Sequence, residues 1–330
     1  MNIDWINFLK SNKATFTSAS DIIFPENQQV KDTSIAAIAN LAIIKVSGKD
    51  AGTFLQGQLT CNIKEITDSN SFFSAFCNAK GRTISTLLIL KQADDFLIIL
   101  PNSLVEKVIQ KLRMYVLRSD VQLINASDEL CLIGITTENH EISSIYPTTN
   151  FSVTNKSNII IKFPANKNRY LFICSVANAK HVWTEFIQNN NASISNSQTW
   201  DYQDVSTGIP WLTEETSEEF IPQMLNIDKL GGISFNKGCY TGQEIVARTH
   251  YLGKAKRALF VAECDKNNFL NDDVLTVIDE NNKSIGKVLS IQSNDIKCRL
   301  LIVLPTSEAN SENLLINNLN PANISIIDFQ

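Results

Sequence analysis

Apolar positions recur along this chain in two rhythms, short strand-sized runs and longer stretches at helical spacing, and their order sketches a protein in three parts. Near the start, Trp5, Phe8 and Leu9 mark a short amphipathic helix, and the polar stretch that follows predicts irregular chain to about Ala36. LAIIKVSG (41–48) reads as a strand stopped by glycine, and Phe54, Leu55 and Leu59 in the next segment share a helical face. FFSAFCNAKGRTISTLLIL (72–90) predicts strand, tight turn at Asn78–Gly81 and strand, and FLIIL (96–100) a further strand. Leu104, Val108, Ile109, Leu112 and Val116 then fall at helical spacing.

Between 121 and 195 the same vocabulary repeats at smaller scale, with VQLI, ELCLIGI, NIIIKF and RYLFICSV as strands and AKHVWTEFIQ as a helix, the pattern of a second α+β unit. NSQTWDYQDVSTGIP (196–210) predicts a helix stopped by Gly208 and Pro210. Beyond 256 the chain turns to short strands parted by polar turns (RALFVAEC, DVLTVIDE, SIGKVLSI, CRLLIVL, ISIIDF), the spacing of a small all-β barrel or sandwich. The expected division is a first α+β domain over 1–120, completed by 196–250, a second over 121–195, and a β-rich domain over 251–330.

The 330 residues, 44% hydrophobic and 19% charged, can bury a sizeable core. A net charge of −5 argues against coating nucleic acid by bulk charge, so any RNA contact has to be local. The opening MNIDWINFLKSNK has acidic Asp4 and no apolar stretch of signal-peptide length, which predicts a cytoplasmic chain that crosses no membrane. Seven cysteines stand singly without a CxxC, and His140, His181 and His250 have no partner at ligand spacing. Free thiols and no metal site are expected.

Five of the 12 glycines (Gly231, Gly232, Gly238, Gly242, Gly253) fall within 231–253, around the segment KGCYTGQE. TGQEIVA fits a capping box, with Thr241 as N-cap and Glu244 reaching back, which would place Lys237, Gly238, Cys239 and Tyr240 in the loop feeding a helix. There Cys239 would lie beside Lys237 and near the positive end of the helix that runs through Gly242, Gln243 and Glu244, both influences favouring thiolate. Two readings stand open: a reactive thiol, or a small side chain wedged in a turn. Glu244 is a cap first and an acid–base group second. Arg248, His250, Lys254, Lys256 and Arg257 form the densest basic cluster, either a solvated face or an anion site for RNA phosphates or an acidic small molecule, with the GGISFNKG glycines offering backbone N–H donors. No GxxxxGK[ST] or GxGxxG is present.

The segment EEFIPQMLNIDKLGGISFNKGCYTGQEIVARTHYLGKAKRAL resembles the signature region of the YgfZ family, folate-binding proteins implicated in tRNA modification and iron–sulfur cluster maintenance. FLQGQLT (54–60), AFCNAKGR (75–82) and SNSQTW…TGIP (195–210) are similar to its other landmarks, so the resemblance spans essentially the whole chain. It implies an α+β fold akin to the glycine-cleavage T-protein: two ferredoxin-like α+β modules and a C-terminal β-barrel around a central tetrahydrofolate cavity. It implies Trp200 near the pterin, where an indole presents a flat polarizable face, and as partners iron–sulfur enzymes such as tRNA methylthiotransferases. Three sites depart from the family pattern: Leu41 stands where a second tryptophan is common, Ser206 where related folate proteins often carry Glu, and Ser85 and Thr86 where aminomethyl-transferring T-proteins place an aspartate. A hydroxyl lacks a carboxylate's charge and basicity near neutral pH, so a folate-binding accessory protein is expected, with a one-carbon transferase using Cys239 or Glu244 as the alternative.

Overall fold

The computed structural model describes residues 1–17, 21–25, 31–253, 255–265, 275–294, 296–311, 313–317 and 321–328. The strands among the described residues build two larger antiparallel-dominated sheets, a closed barrel and a two-stranded ribbon of Thr15–Phe16 with Ile22–Ile23. The first sheet has the spatial order Ser71–Cys77, Thr83–Gln92, Asp95–Pro101, Leu41–Ser47, Gln122–Asn125. Its helix Val105–Val116 lays Val105, Val108, Ile109 and Leu112 onto the sheet; of the stripe read from the sequence, Leu104 lies in the turn just before the helix and Val116 is half-buried.

The second sheet runs Val153–Asn155, Ile159–Phe163, Asn168–Ser175, Leu130–Thr137, Thr33–Ile38, Ser193–Ile194. Helix Val176–Gln188, capped by the Ser175 hydroxyl, buries Ala179, Val182, Trp183 and Phe186 against it. The N-terminal helix Ile3–Ser11, capped by Asn2, adds Trp5 edge-on to Trp183 with ring centroids 5.8 Å apart. Each such buried large side chain contributes about 1.5–3 kcal/mol of transfer free energy.

Sheet membership does not follow the division at 120. Thr33–Ile38, within a stretch expected to be irregular to Ala36, is a strand of the second sheet, with Ile35 opposite Ile135. TSIAAI escapes a pattern search because Ser34, Ala36 and Ala37 are small and nearly the whole strand is buried, leaving no alternation of large apolar and polar residues. Conversely Gln122–Asn125 edges the first sheet, with Ile124 opposite Lys45. The chain crosses between the sheets in short links, Ala39 and Asn40 between Thr33–Ile38 and Leu41–Ser47, and 126–129 between Gln122–Asn125 and Leu130–Thr137.

The barrel closes in the order Arg257–Asp265, Lys297–Pro305, Ser284–Ser293, Thr276–Ile278, Leu314–Asn317, Ala322–Ile327. Leu314–Asn317 is a strand the sequence reading passed over. Helix Ser197–Ser206 packs on both Thr33–Ile38 and the barrel strands Ser284–Ser293 and Lys297–Pro305, and it ends where Gly208 takes φ 72°. No helix among the described residues is long and apolar enough to cross a membrane.

Candidate functional site

Between the first sheet, helix Ser197–Ser206 and the barrel lies a cavity of about 340 Å³. The crossing between the sheets supplies Asn40 and Leu41, helix Ser197–Ser206 supplies Asp201 and Asp204, the segment after its Gly-Ile-Pro stop supplies Trp211, and the barrel supplies Ser290 and Gln292. Asp201 and Asp204 are both buried, three residues apart and so on one helical face. Asp204 is held by Arg169 Nη2 at 2.8 Å from its Oδ1 and accepts from Trp211 Nε1 at 2.8 Å through Oδ2. Burial pushes its carboxyl above the ordinary range, against the pull of Arg169. Asp201 Oδ1 accepts from Asn40 Nδ2 at 2.8 Å. Desolvation, then the neighbouring charges of Asp204 and Asp21, push Asp201 up to about 8.

A second constellation surrounds KGCYTGQE. Lys237 is buried and its Nζ donates to the carbonyls of Leu59 and Cys61, both at 2.7 Å. Desolvation brings its pKa down to about 8. Thr241 N donates to Gly57 O at 3.2 Å and its hydroxyl meets Gln58 Oε1 at 3.3 Å. Ser234 N donates to Thr60 O, whose own hydroxyl donates to Gly232 O. Gly242, at φ 83°, packs so closely on Asn78 and Gly81 that a side chain there would collide with backbone. FLQGQLT, AFCNAKGR and KGCYTGQE, remote in sequence, thus lock together by backbone contact.

The model of the GCVT N-terminal domain family matches residues 8–137. A relative from Colwellia psychrerythraea (strain 34H), described as "tRNA-modifying protein YgfZ", is 30% identical over 299 residues, covering 88% of this chain and 90% of its own. The chain belongs to the YgfZ family. Among solved structures, glycine cleavage system aminomethyltransferase T from Bartonella henselae superposes with a TM-score of 0.77 over 99% of this chain and 97% of its own, at 12% identity. That likeness is one of fold: two α+β modules and a C-terminal barrel, the T-protein-like architecture.

Within this YgfZ-family fold, the residues singled out from sequence separate into three places. Leu41 lines the central cavity. Trp200 is not among the residues lining it: its ring is 2% exposed, faces Arg169 at 3.6 Å, tilts against Phe163, and fills the space left by the missing side chain of Gly134. The aromatic that does line the cavity is Trp211. Ser206 is likewise off the cavity wall, its Oγ donating to Tyr202 O at 2.7 Å. Ser85 and Thr86 are fully buried, with Ser85 Oγ donating to Thr86 O and Thr86 Oγ1 to Pro210 O.

The capping box does not form. The helix spans Gln243–Tyr251 with Gly242 in the left-handed conformation as N-cap and no side-chain cap, because Thr241 is turned onto Gln58. Gln243 is the side chain that reaches back, accepting from Tyr240 N at 3.3 Å, and Glu244 is exposed. Cys239 is exposed and is not among the residues lining the cavity with Leu41. Lys237 turns inward rather than toward that thiol, its ammonium 5.0 Å from the Tyr240 ring. Neither the KGCY loop nor Trp200 lines this cavity, and backbone docking holds the loop on the first module.

Arg248 and Lys256 are exposed, and Lys254 lies outside the described residues. Arg257 lines a separate groove of about 410 Å³ with Lys229, Thr249 and His250, beside His250 stacked on Phe235 at 3.6 Å between ring centroids. Gly231 and Gly232 do not line this groove, and their N–H groups are already donated to Asp228 O and Ile227 O.

Sequence reasoning missed Asn40, Asp201, Asp204, Trp211, Ser290 and Gln292. The available signal was WDYQD, two carboxylates at i and i+3 in a helix headed for the core, with Trp211 just past the stop.

Proposed function

We propose that this chain is a tetrahydrofolate-binding accessory protein of tRNA modification, serving iron–sulfur enzymes such as tRNA methylthiotransferases. The observation that carries the reading is the cavity between the first sheet, helix Ser197–Ser206 and the barrel, sized for a small heteroaromatic ligand, with an indole and a partly unpaired carboxyl on its wall. These groups suit a reduced folate, which presents a flat pterin with an edge of N–H donors. Trp211 would flank the ring, Asp201 and Asn40 its polar edge, and Ser290 and Gln292 the barrel side. Bound there, the folate would supply one-carbon carrying chemistry, and the chain's contribution is to hold and desolvate it. The YgfZ name of the relative supports the tRNA side of the reading.

The transferase alternative loses support. Cys239 and Glu244 are absent from the cavity lining, and the hydroxyls of Ser85 and Thr86 are spent on internal carbonyls. Cys239 fits a different role, a transient soft ligand or redox thiol during cluster transfer, because among the seven cysteines it is the exposed one.

Calorimetry with tetrahydrofolate, together with tRNA thiomodification profiles of a deletion strain carrying the wild-type chain or none, tests the proposal. Saturable binding and a modification deficit cured by the wild type are expected. No heat and an unchanged profile would overturn it.

A further inference from the structure

The two carboxylates on the cavity wall are not equivalent. Both oxygens of Asp204 are engaged, Oδ1 by Arg169 and Oδ2 by Trp211. Asp201 has Oδ1 on Asn40, and its Oδ2 has no protein partner among the described residues. The residue is 8% exposed and lines the cavity. A carboxyl this buried is costly unless a donor completes it.

We propose that Asp201 is the specificity-determining residue of the cavity, receiving the 2-aminopyrimidinone edge of a pterin, its ring N–H and exocyclic amine, with Asn40 as the positioning residue. The inference rests on the folate reading. Two adjacent N–H donors match the in-plane acceptor geometry of a carboxylate, and charge-assisted bonds of this kind are the strong ones. Oδ1 keeps a lone pair beyond its bond to Asn40, and Oδ2 is unclaimed.

The charged groups bearing on Asp201 are Asp204 and Asp21, which disfavour its anion, and Arg169, which favours it. Unliganded, the carboxyl holds its proton up to about pH 8. Receiving two donors selects the carboxylate, so the proton leaves to solvent as the ligand binds. Affinity then rises with pH from 6 to 8 and levels off above, and binding at pH 6.5 releases about one proton.

The test is calorimetry of the full chain with tetrahydrofolate and with a 2-desamino-2-methyl folate analogue, for the wild type and Asp201→Asn, in buffers of different ionisation enthalpy. We expect Asp201→Asn to weaken tetrahydrofolate binding by about 10- to 100-fold and to abolish proton release, and the analogue to lose a similar factor on the wild type but little on the variant. If no folate binds the wild type, the folate reading itself fails. If the wild type binds and Asp201→Asn binds within twofold of it, or binding releases no proton, this inference falls while that reading stands. Should the variant be unfolded by circular dichroism, the two ligands compared on the wild type decide: equal affinity for the analogue overturns the assignment.

Discussion

Arg169 lies face-on against Trp200, its guanidinium carbon 3.6 Å from the ring centroid, and neither side chain reaches solvent. Arg169 also donates to the Trp200 carbonyl at 2.8 Å and pairs with Asp204. The tryptophan is thus one layer behind the cavity, part of a buried cation–π and ion-pair unit that fixes the helix bearing Asp201 and Asp204.

Trp200 and Trp211 should therefore behave differently on substitution. Trp200→Phe is expected to lower unfolding free energy by about 1–3 kcal/mol, measured by urea titration, with folate affinity nearly intact. Trp211→Phe removes the donor to Asp204 and reshapes the cavity wall, and should weaken folate binding in calorimetry. Arg169→Met leaves the Asp204 carboxyl buried without its cation and should cost about 3–5 kcal/mol.

Asp201 carries a pH signature in the unliganded protein. The folded carboxyl keeps its proton to about pH 8, whereas an unfolded aspartate releases it near 3.9. Between these values the folded state binds more protons, so stability falls as pH rises. Against Asp201→Asn, the wild type should lose ground from about pH 4 to about pH 8 in thermal or urea unfolding, and a constant difference across that range would contradict the burial of this group.

Lys237 has the opposite window. Its folded pKa is depressed to about 8 from 10.5, so above pH 8 the unfolded state binds more protons and stability climbs with pH. The wild type should gain on Lys237→Met between about pH 8 and pH 10. At pH 7 the substitution also strips the donor from the Leu59 and Cys61 carbonyls, and limited proteolysis should then cut the 231–243 loop faster.

Thiol counting tests the placement of the motif loop. Cys239 is exposed while the other six cysteines are buried, with desolvation pushing Cys61 to about 11 and Cys77 to about 12. Ellman's reagent should titrate a single thiol in the folded protein and seven in denaturant, and Cys239→Ala should silence the folded signal. More than one rapid thiol in the wild type would contradict the packing.

Gly242→Ala probes the docking of KGCYTGQE on FLQGQLT and AFCNAKGR. Its left-handed φ and its contact with Asn78 and Gly81 both exclude a Cβ, and a cost of at least about 1–2 kcal/mol is expected from the conformation alone. Loss of protection at the Thr241 amide in hydrogen exchange would report the loosened loop.

The chain's local patterns sufficed for most elements. The stripe Val108, Ile109, Leu112 and the runs LAIIKVS and RYLFICS announce themselves because side-chain periodicity follows directly from backbone geometry. TSIAAI and LLIN did not, since small or uniformly apolar strands carry no period. Family membership was legible in KGCYTGQE and its companion segments, whose glycines and buried lysine serve backbone contacts that tolerate few substitutes. What sequence alone could not decide was convergence: which tryptophan meets the cavity, whether Thr241 caps its helix or bonds Gln58, and that Asn40, Asp201 and Gln292 line one cavity. Those outcomes depend on segments remote in sequence, from Asn40 to Gln292, lining one cavity, and only the packing of sheets and barrel around helix Ser197–Ser206 selects them.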